Sequence, residues 1–154
     1  MQATKNNPYA ESSAPPSQAD DLYNHIRTFR RFPKGYMALH LHFSVLDRLH
    51  QQPQHRRMIA TAFNRLINPY EGKLFWTRDF DLYFVSKGCS HAELDRARYD
   101  ALRAVDDAPI IKKMIAEGQD DRLCTWWDLA EDYEKFYDSI KNGFLKFQKI
   151  LNEE

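Results

Sequence analysis

The chain carries no net charge, almost no cysteine and no long apolar run. Lysine plus arginine equals aspartate plus glutamate at 22 each, so no global field draws it to nucleic acid or anionic lipid, and any polyanion site has to be local. Two cysteines, Cys89 and Cys124, are too few for a disulfide framework. They lack CxxC spacing and a nearby histidine cluster, which reads as reduced cytosolic thiols. No stretch approaches the roughly 20 apolar residues of a membrane span, and the opening MQATKNNPYAESSAPPSQAD lacks the apolar core of a signal peptide, so a cytoplasmic location without membrane insertion is expected. There is no internal repeat.

What is present is enough for one core. At 154 residues, 43% apolar and 14% aromatic, the chain suits a single domain over residues 21–154, behind a leader of residues 1–20 whose Pro, Ser, Asn and Gln have little to bury. Leu22, Tyr23, Ile26 and Phe29 follow at helical spacing from Asp21 and predict a docking helix, stopped by Pro33 and Gly35. From Met37 to Val45 apolar residues alternate with Ala38, His40, His42 and Ser44, a period of two that predicts a strand with one wet face. Ile59, Ala62, Phe63, Leu66 and Ile67 form one helical stripe ending at Asn68-Pro69. In KLFWTRDFDLYFVSKG, strand-like Leu74 to Trp76 and Leu82 to Val85 flank the charged turn Thr77 to Asp81, the pattern of a β-hairpin.

Ser90 and Glu93 have capping-box spacing before a helix whose buried stripe is Leu94, Ala97, Ala101, Leu102 and Val105. Pro109, Ile110, Ile111, Met114 and Ile115 predict a short helix ended by Gly118, and Leu123 to Trp127 an edge strand. Thr125 with Asp128 offers a second capping box. It precedes a long amphipathic helix over residues 125–151, carrying Leu129, Tyr133, Phe136, Ile140, Phe144, Phe147 and Leu151, with acids early and lysines late as the helix dipole prefers. The sum is an α+β, ferredoxin-like sandwich: an antiparallel sheet with helices packed on one face and the other face open.

Strand, helix, acid-bearing hairpin and helix over residues 35–105 resemble the core of the GGDEF diguanylate cyclases. In that family the turn reads Gly-Gly-Asp/Glu-Glu-Phe; its glycines admit a nucleotide, and its acids hold metal together with an aspartate from the first strand. Here the turn is Thr77-Arg78-Asp79-Phe80-Asp81, without either glycine, and the first strand carries no acid. The resemblance therefore implies a degenerate, non-catalytic relative. The tail LCTWWDLAEDYEKFYD lies outside that pattern and is similar to uncharacterised bacterial proteins.

Each candidate site has a bland counterpart. His40 and His42 share a strand face, with His50 and His55 close behind, which suits a zinc or other transition-metal site. Histidines on a wet strand face are commoner, and no HxxxH or Cys-His spacing converges here, so no metal is assigned beyond His40 and His42 as a minor alternative. Phe75, Tyr83 and Trp76 could stack RNA bases on an open sheet with Arg56, Arg57 and Arg78 on phosphates, but the RNP signature is missing and the composition argues against nucleic acid. Arg78, Asp79 and Asp81 are the candidate ligand-binding set, for a guanine nucleotide above all; turn acids, however, usually bond their own backbone. Cys89 precedes a helix start that could activate it, against the reading of a buried inert thiol. Trp126, Trp127, Tyr133, Phe136 and Tyr137 exceed what one helix needs to dock on a small sheet. They serve either as partner-binding anchors or as cover for the sheet's open face.

The expectation that follows is a non-enzymatic signalling or scaffolding module without catalytic residues or cofactor, acting on a protein partner or as a homodimer. Its alternatives are a nucleotide- or small-ligand-binding sensor without turnover, and an RNA-binding sheet.

Overall fold

The computed structural model describes residues 18–153, and side chains as far as residue 141. Most of the expected leader, and the side chains of Phe144, Phe147 and Leu151, lie outside the described residues. Within them the fold is α+β, with five α-helices and four strands.

The strands are β1 (Tyr36–Leu41), β2 (Lys73–Trp76), β3 (Leu82–Lys87) and β4 (Cys124–Asp128). They form one antiparallel sheet in the order β2-β3-β1-β4. Helix α1 (Ala19–Arg27) precedes the sheet, α2 (Pro53–Thr61) joins β1 to β2, α3 (His91–Arg103) and α4 (Pro109–Ala116) join β3 to β4, and α5 (Leu129–Glu153) follows it. The β-α-β-β-α-β order with β1 central is the split βαβ arrangement.

Alternation along the strands sends successive side chains to opposite faces, and each face has its own core. Leu39, Leu41, Leu82 and Phe84 point to one, where they meet Ile59, Phe63 and Leu66 of the α2 segment, Leu94, Ala97, Ala101 and Leu102 of α3, and Ile111 of α4. Ala38, Phe75, Tyr83 and Val85 point to the other, where Leu22, Ile26 and Phe29 of the α1 segment and Leu129, Tyr133, Phe136 and Ile140 of α5 cover them. The expectation of one open face is therefore corrected. Each fully buried Leu or Phe contributes about 1.5–3 kcal/mol of transfer free energy, and β1 and β3 have apolar residues on both faces to bury.

Local differences have local causes. β1 ends at Leu41, not Val45, because a 3-10 turn over Phe43–Val45 rotates Phe43 into the core and leaves Val45 outside. The stripe after Pro53 is divided between α2 and a 3-10 turn at Asn64–Leu66, with Ile59, Phe63 and Leu66 still buried. Helix α1 starts at Ala19, and Gln18 before it pairs with the edge strand β2: its N–H donates to the Trp76 carbonyl (2.9 Å) and its Oε1 accepts the Trp76 N–H (2.7 Å). At α3, Ser90 Oγ accepts the Glu93 N–H (3.2 Å), the serine half of the expected capping box, and donates to Glu93 Oε1 (3.0 Å). At α5, Asp128 and not Thr125 supplies the capping acceptor, its Oδ1 taking the Ala130 N–H at 3.0 Å.

Candidate functional site

The hairpin turn is built around Phe80. Its φ of 73° is a left-handed conformation that costs a bulky residue free energy. Burial offsets that cost: the ring has no exposed surface and lies 5.1 Å from the Trp76 ring. Thr77 closes the turn, its N–H donating to the Asp81 carbonyl at 2.9 Å while its Oγ1 accepts the Asp81 N–H at 3.1 Å and donates to Asp79. Arg78 and Asp79 are exposed at the tip; Asp81 is buried. The candidate ligand set is thus divided, with Asp81 facing away from its two neighbours' solvent. A shallow cleft of about 300 Å³ beside the hairpin is lined instead by Pro53, Arg56, Arg57, Ala60 and Trp76.

What Asp81 faces is the end of β1. The β1–β3 register pairs Leu41 with Leu82, so the next step brings His42 opposite Asp81, on the face that also carries His40 and Tyr83. Asp81 Oδ2 lies 2.7 Å from His40 Nε2 and 4.0 Å from His42 Nδ1. Its other oxygen, Oδ1, accepts the Ser44 N–H at 2.9 Å. His42 Nε2 is 2.8 Å from Thr125 Oγ1 on β4, the residue paired with His40. The two imidazoles lie 4.0 Å apart, and the His40 ring stacks on Tyr83 at 4.2 Å. One ligating atom each from His40, His42 and Asp81 falls within 4.8 Å of the others, making this the one group of three metal-ligating side chains among the described residues. The side chains of His40, His42 and Asp81 are 15%, 31% and 10% exposed.

The electrostatics follow from burial and these contacts. Burial alone would raise the Asp81 carboxyl, but the His40 hydrogen bond and charge, with the bonds from Ser44, outweigh it and hold the group below its usual range. Burial, with the neighbouring His40 next, lowers the His42 pKa against the opposing pull of Asp81 and Asp79, which favours the neutral imidazole that ligates metals. Burial pushes the Tyr83 phenol up, with Asp81 adding to the effect.

The sequence singles out His40 and His42 as a pair, and Asp81 as part of a turn, without joining them. Pairing β1 with β3 in the split βαβ order would have joined them, because residue parity then places all three on one face. Ser44 and Thr125, which orient Asp81 and His42, carry no such signal.

The remaining candidates are placed as follows. Tyr133 and Phe136 are buried on the sheet, and Tyr133 Oη donates to the Ile26 carbonyl at 2.6 Å. Trp127 and Tyr137 are half-buried in the same layer, and Trp126 lies on the opposite face with its ring stacked on His91 at 4.2 Å. Phe75 and Tyr83 lie buried under α1 and α5, so no base reaches them in this arrangement. Cys89 is buried, and burial, with Glu93 next, pushes its thiol up to about 11. Burial takes Cys124 to about 12. No helix among the described residues is long and apolar enough to cross a membrane. No family model, no curated protein and no solved structure matches the chain.

Proposed function

We propose that the protein is a non-enzymatic signalling or scaffolding module with a degenerate cyclase-like core, and that it works by protein-protein contact between two copies of itself. The observation that carries this reading is the loop after β1. It is fixed by polar contacts: the Ser44 N–H is held by Asp81 of the hairpin turn, and within the loop Asp47 Oδ1 accepts the His50 N–H at 3.1 Å and Gln51 Nε2 donates to the Leu46 carbonyl at 2.7 Å. Yet it turns Val45 and Leu49 outward, 47% and 77% exposed. His50 Nε2 reaches Asp107 at 3.4 Å, bringing the loop beside the start of α4, where Ile110 is exposed as well. A loop already ordered by these contacts has little backbone entropy left to lose on docking, which is the preorganisation a contact surface needs. A chain with zero formal net charge meets no overall repulsion from a second copy. The turn sequence supports the non-catalytic part, since Thr77-Arg78-Asp79-Phe80-Asp81 lacks both of the glycines that admit a nucleotide in the cyclases.

Sedimentation equilibrium of the full chain tests the reading. A dimer that Leu49→Asp or Val45→Asp converts to a folded monomer supports it; a parent that stays monomeric at the highest concentration reached removes it. The cleft lined by Arg56, Arg57 and Trp76 favours a second reading, a sensor holding a nucleotide phosphate and base without turnover. Calorimetric titration with GTP and cyclic di-GMP in magnesium decides that case, absence of heat disposing of it.

A further inference from the structure

We propose that His40, His42 and Asp81 bind one divalent first-row transition-metal ion, with Zn²⁺ the best match. The inference goes beyond the contact reading and stands independently of it. It rests on which atoms of the three side chains are committed elsewhere and which remain.

Asp81 commits Oδ1 to the Ser44 N–H, and Oδ2 is left facing the histidines. His42 commits Nε2 to Thr125 Oγ1, and Nδ1 is left on the Asp81 side. His40 turns Nε2 to the same Asp81 oxygen. Three ligating atoms therefore converge, and for Asp81 and His42 the second polar atom is held by a neighbour. That is the outer-shell pattern which orients metal ligands and selects the histidine tautomer. Ligands about 2.0–2.1 Å from a tetrahedral zinc lie roughly 3.3 Å apart. The separations from Asp81 Oδ2, 2.7 Å to His40 Nε2 and 4.0 Å to His42 Nδ1, bracket that value. Small side-chain rotations would equalise them.

The donor set selects the ion. Two imidazole nitrogens and one carboxylate oxygen suit zinc and its neighbours in the first transition row, whereas magnesium and calcium prefer all-oxygen shells. Three protein ligands leave at least one position for water, and the part-exposed His42 edge offers the way in. On binding, the ion takes the place of the proton between His40 Nε2 and Asp81 Oδ2, and that proton is released or transferred to His40 Nδ1. The ion then ties together β1, the turn between β2 and β3 and, through Thr125, the edge strand β4.

The test uses the full chain stripped with chelator and titrated with Zn²⁺ and Co²⁺ by calorimetry, with Mg²⁺ as the contrasting ion. Expected are one equivalent bound, a Co²⁺ visible spectrum carrying nitrogen-ligand character, and thermal unfolding that moves upward with Zn²⁺ concentration. His40→Asn and His42→Asn each weaken Zn²⁺ by more than the ~10- to 100-fold that loss of an outer-shell partner costs. Because a variant can fail to fold, imidazole nitrogen NMR of the parent is recorded alongside, and Zn²⁺ is expected to shift His40 Nε2 and His42 Nδ1. The proposal is overturned by a parent that binds neither ion, by a folded His40→Asn/His42→Asn double variant that binds Zn²⁺ as tightly as the parent, or by shifts confined to His50 and His55.

Discussion

Asp81 and His40 lie 41 residues apart in sequence and 2.7 Å apart in space, with the Ser44 N–H on the other oxygen of the same carboxylate. One turn residue thereby fixes both the end of β1 and the start of the loop that follows.

Removing that carboxylate should unfold the protein more readily. Asp81→Ala leaves the Ser44 N–H and His40 without their partner in a largely buried place and is expected to cost about 2–4 kcal/mol, toward the range for breaking one side of a buried pair. Asp81→Asn keeps an oxygen for Ser44 and should lose about half as much. Urea denaturation at neutral pH measures both, and equal losses would show that the Ser44 bond carries none of the effect.

Much of this arrangement was legible in the residues. Period two in Met37 to Leu41, the hairpin around Thr77 to Asp81, the helix stripe of α3 and the short helix behind Pro109 are strictly local patterns, legible without any tertiary contact. The second layer was not legible in the same way. Leu22, Ile26 and Phe29 show that α1 has an apolar face, as Tyr133 and Phe136 do for α5, but helical periodicity does not say which surface an apolar face covers. The site was divided for the same reason. His40 and Asp81 meet only through strand register, a long-range property, while Phe80 read as one member of a charged turn although its ring faces inward beside Trp76.

The role of α5 can be separated from a partner surface by two neighbouring positions. Phe136 is fully buried against the Tyr83 and Trp127 rings, at 6.0 and 5.6 Å. Phe136→Ala should cost about 3–5 kcal/mol. Tyr137 is half-buried at the margin, touching Tyr23 at 5.3 Å and accepting a long bond from Arg27 at 3.4 Å. Its replacement by Ala should cost roughly 1 kcal/mol, in the ordinary range for a marginal contact. Equal unfolding midpoints for the two variants would contradict the packing described for this layer.

At Gly72 the chain passes hard against its own core. A Cβ at this position would lie 2.6 Å from Phe84 Cζ and 2.8 Å from the Leu66 carbonyl oxygen, and the backbone oxygen cannot swing aside as a flexible side chain would. Gly72→Ala is expected to destabilise by about 1–3 kcal/mol or more through overpacking, even though the substitution adds one methyl group. Chemical denaturation checks this, and an unchanged midpoint would mean that the β2 entrance moves freely.

Acid sensitivity should originate partly in His25. Its ring packs between Phe29 and Phe75, both at 5.6 Å, and its Nε2 is buried without a hydrogen-bond partner. Burial, and after it the charge of Lys73, lowers its pKa in the folded protein, with Glu71 opposing. The unfolded chain, with an ordinary histidine pKa of about 6.5, therefore takes up a proton at a pH where the folded chain still refuses it. Stability contributed by the neutral ring is complete above that value and declines as pH falls from it through the lower folded pKa. His42 and His55 are shifted the same way and add to the decline, whereas His50, raised by its hydrogen bond to Asp47, works against it. His25→Phe keeps the ring contacts, removes the orphaned nitrogen and cannot titrate. It should therefore be stabilising by about 1 kcal/mol at neutral pH, and its advantage over the parent should widen between about pH 7 and about pH 5.5, the interval around the ordinary histidine pKa. Urea midpoints of the two proteins across that interval give the comparison, and parallel pH profiles would remove His25 from the account of acid unfolding.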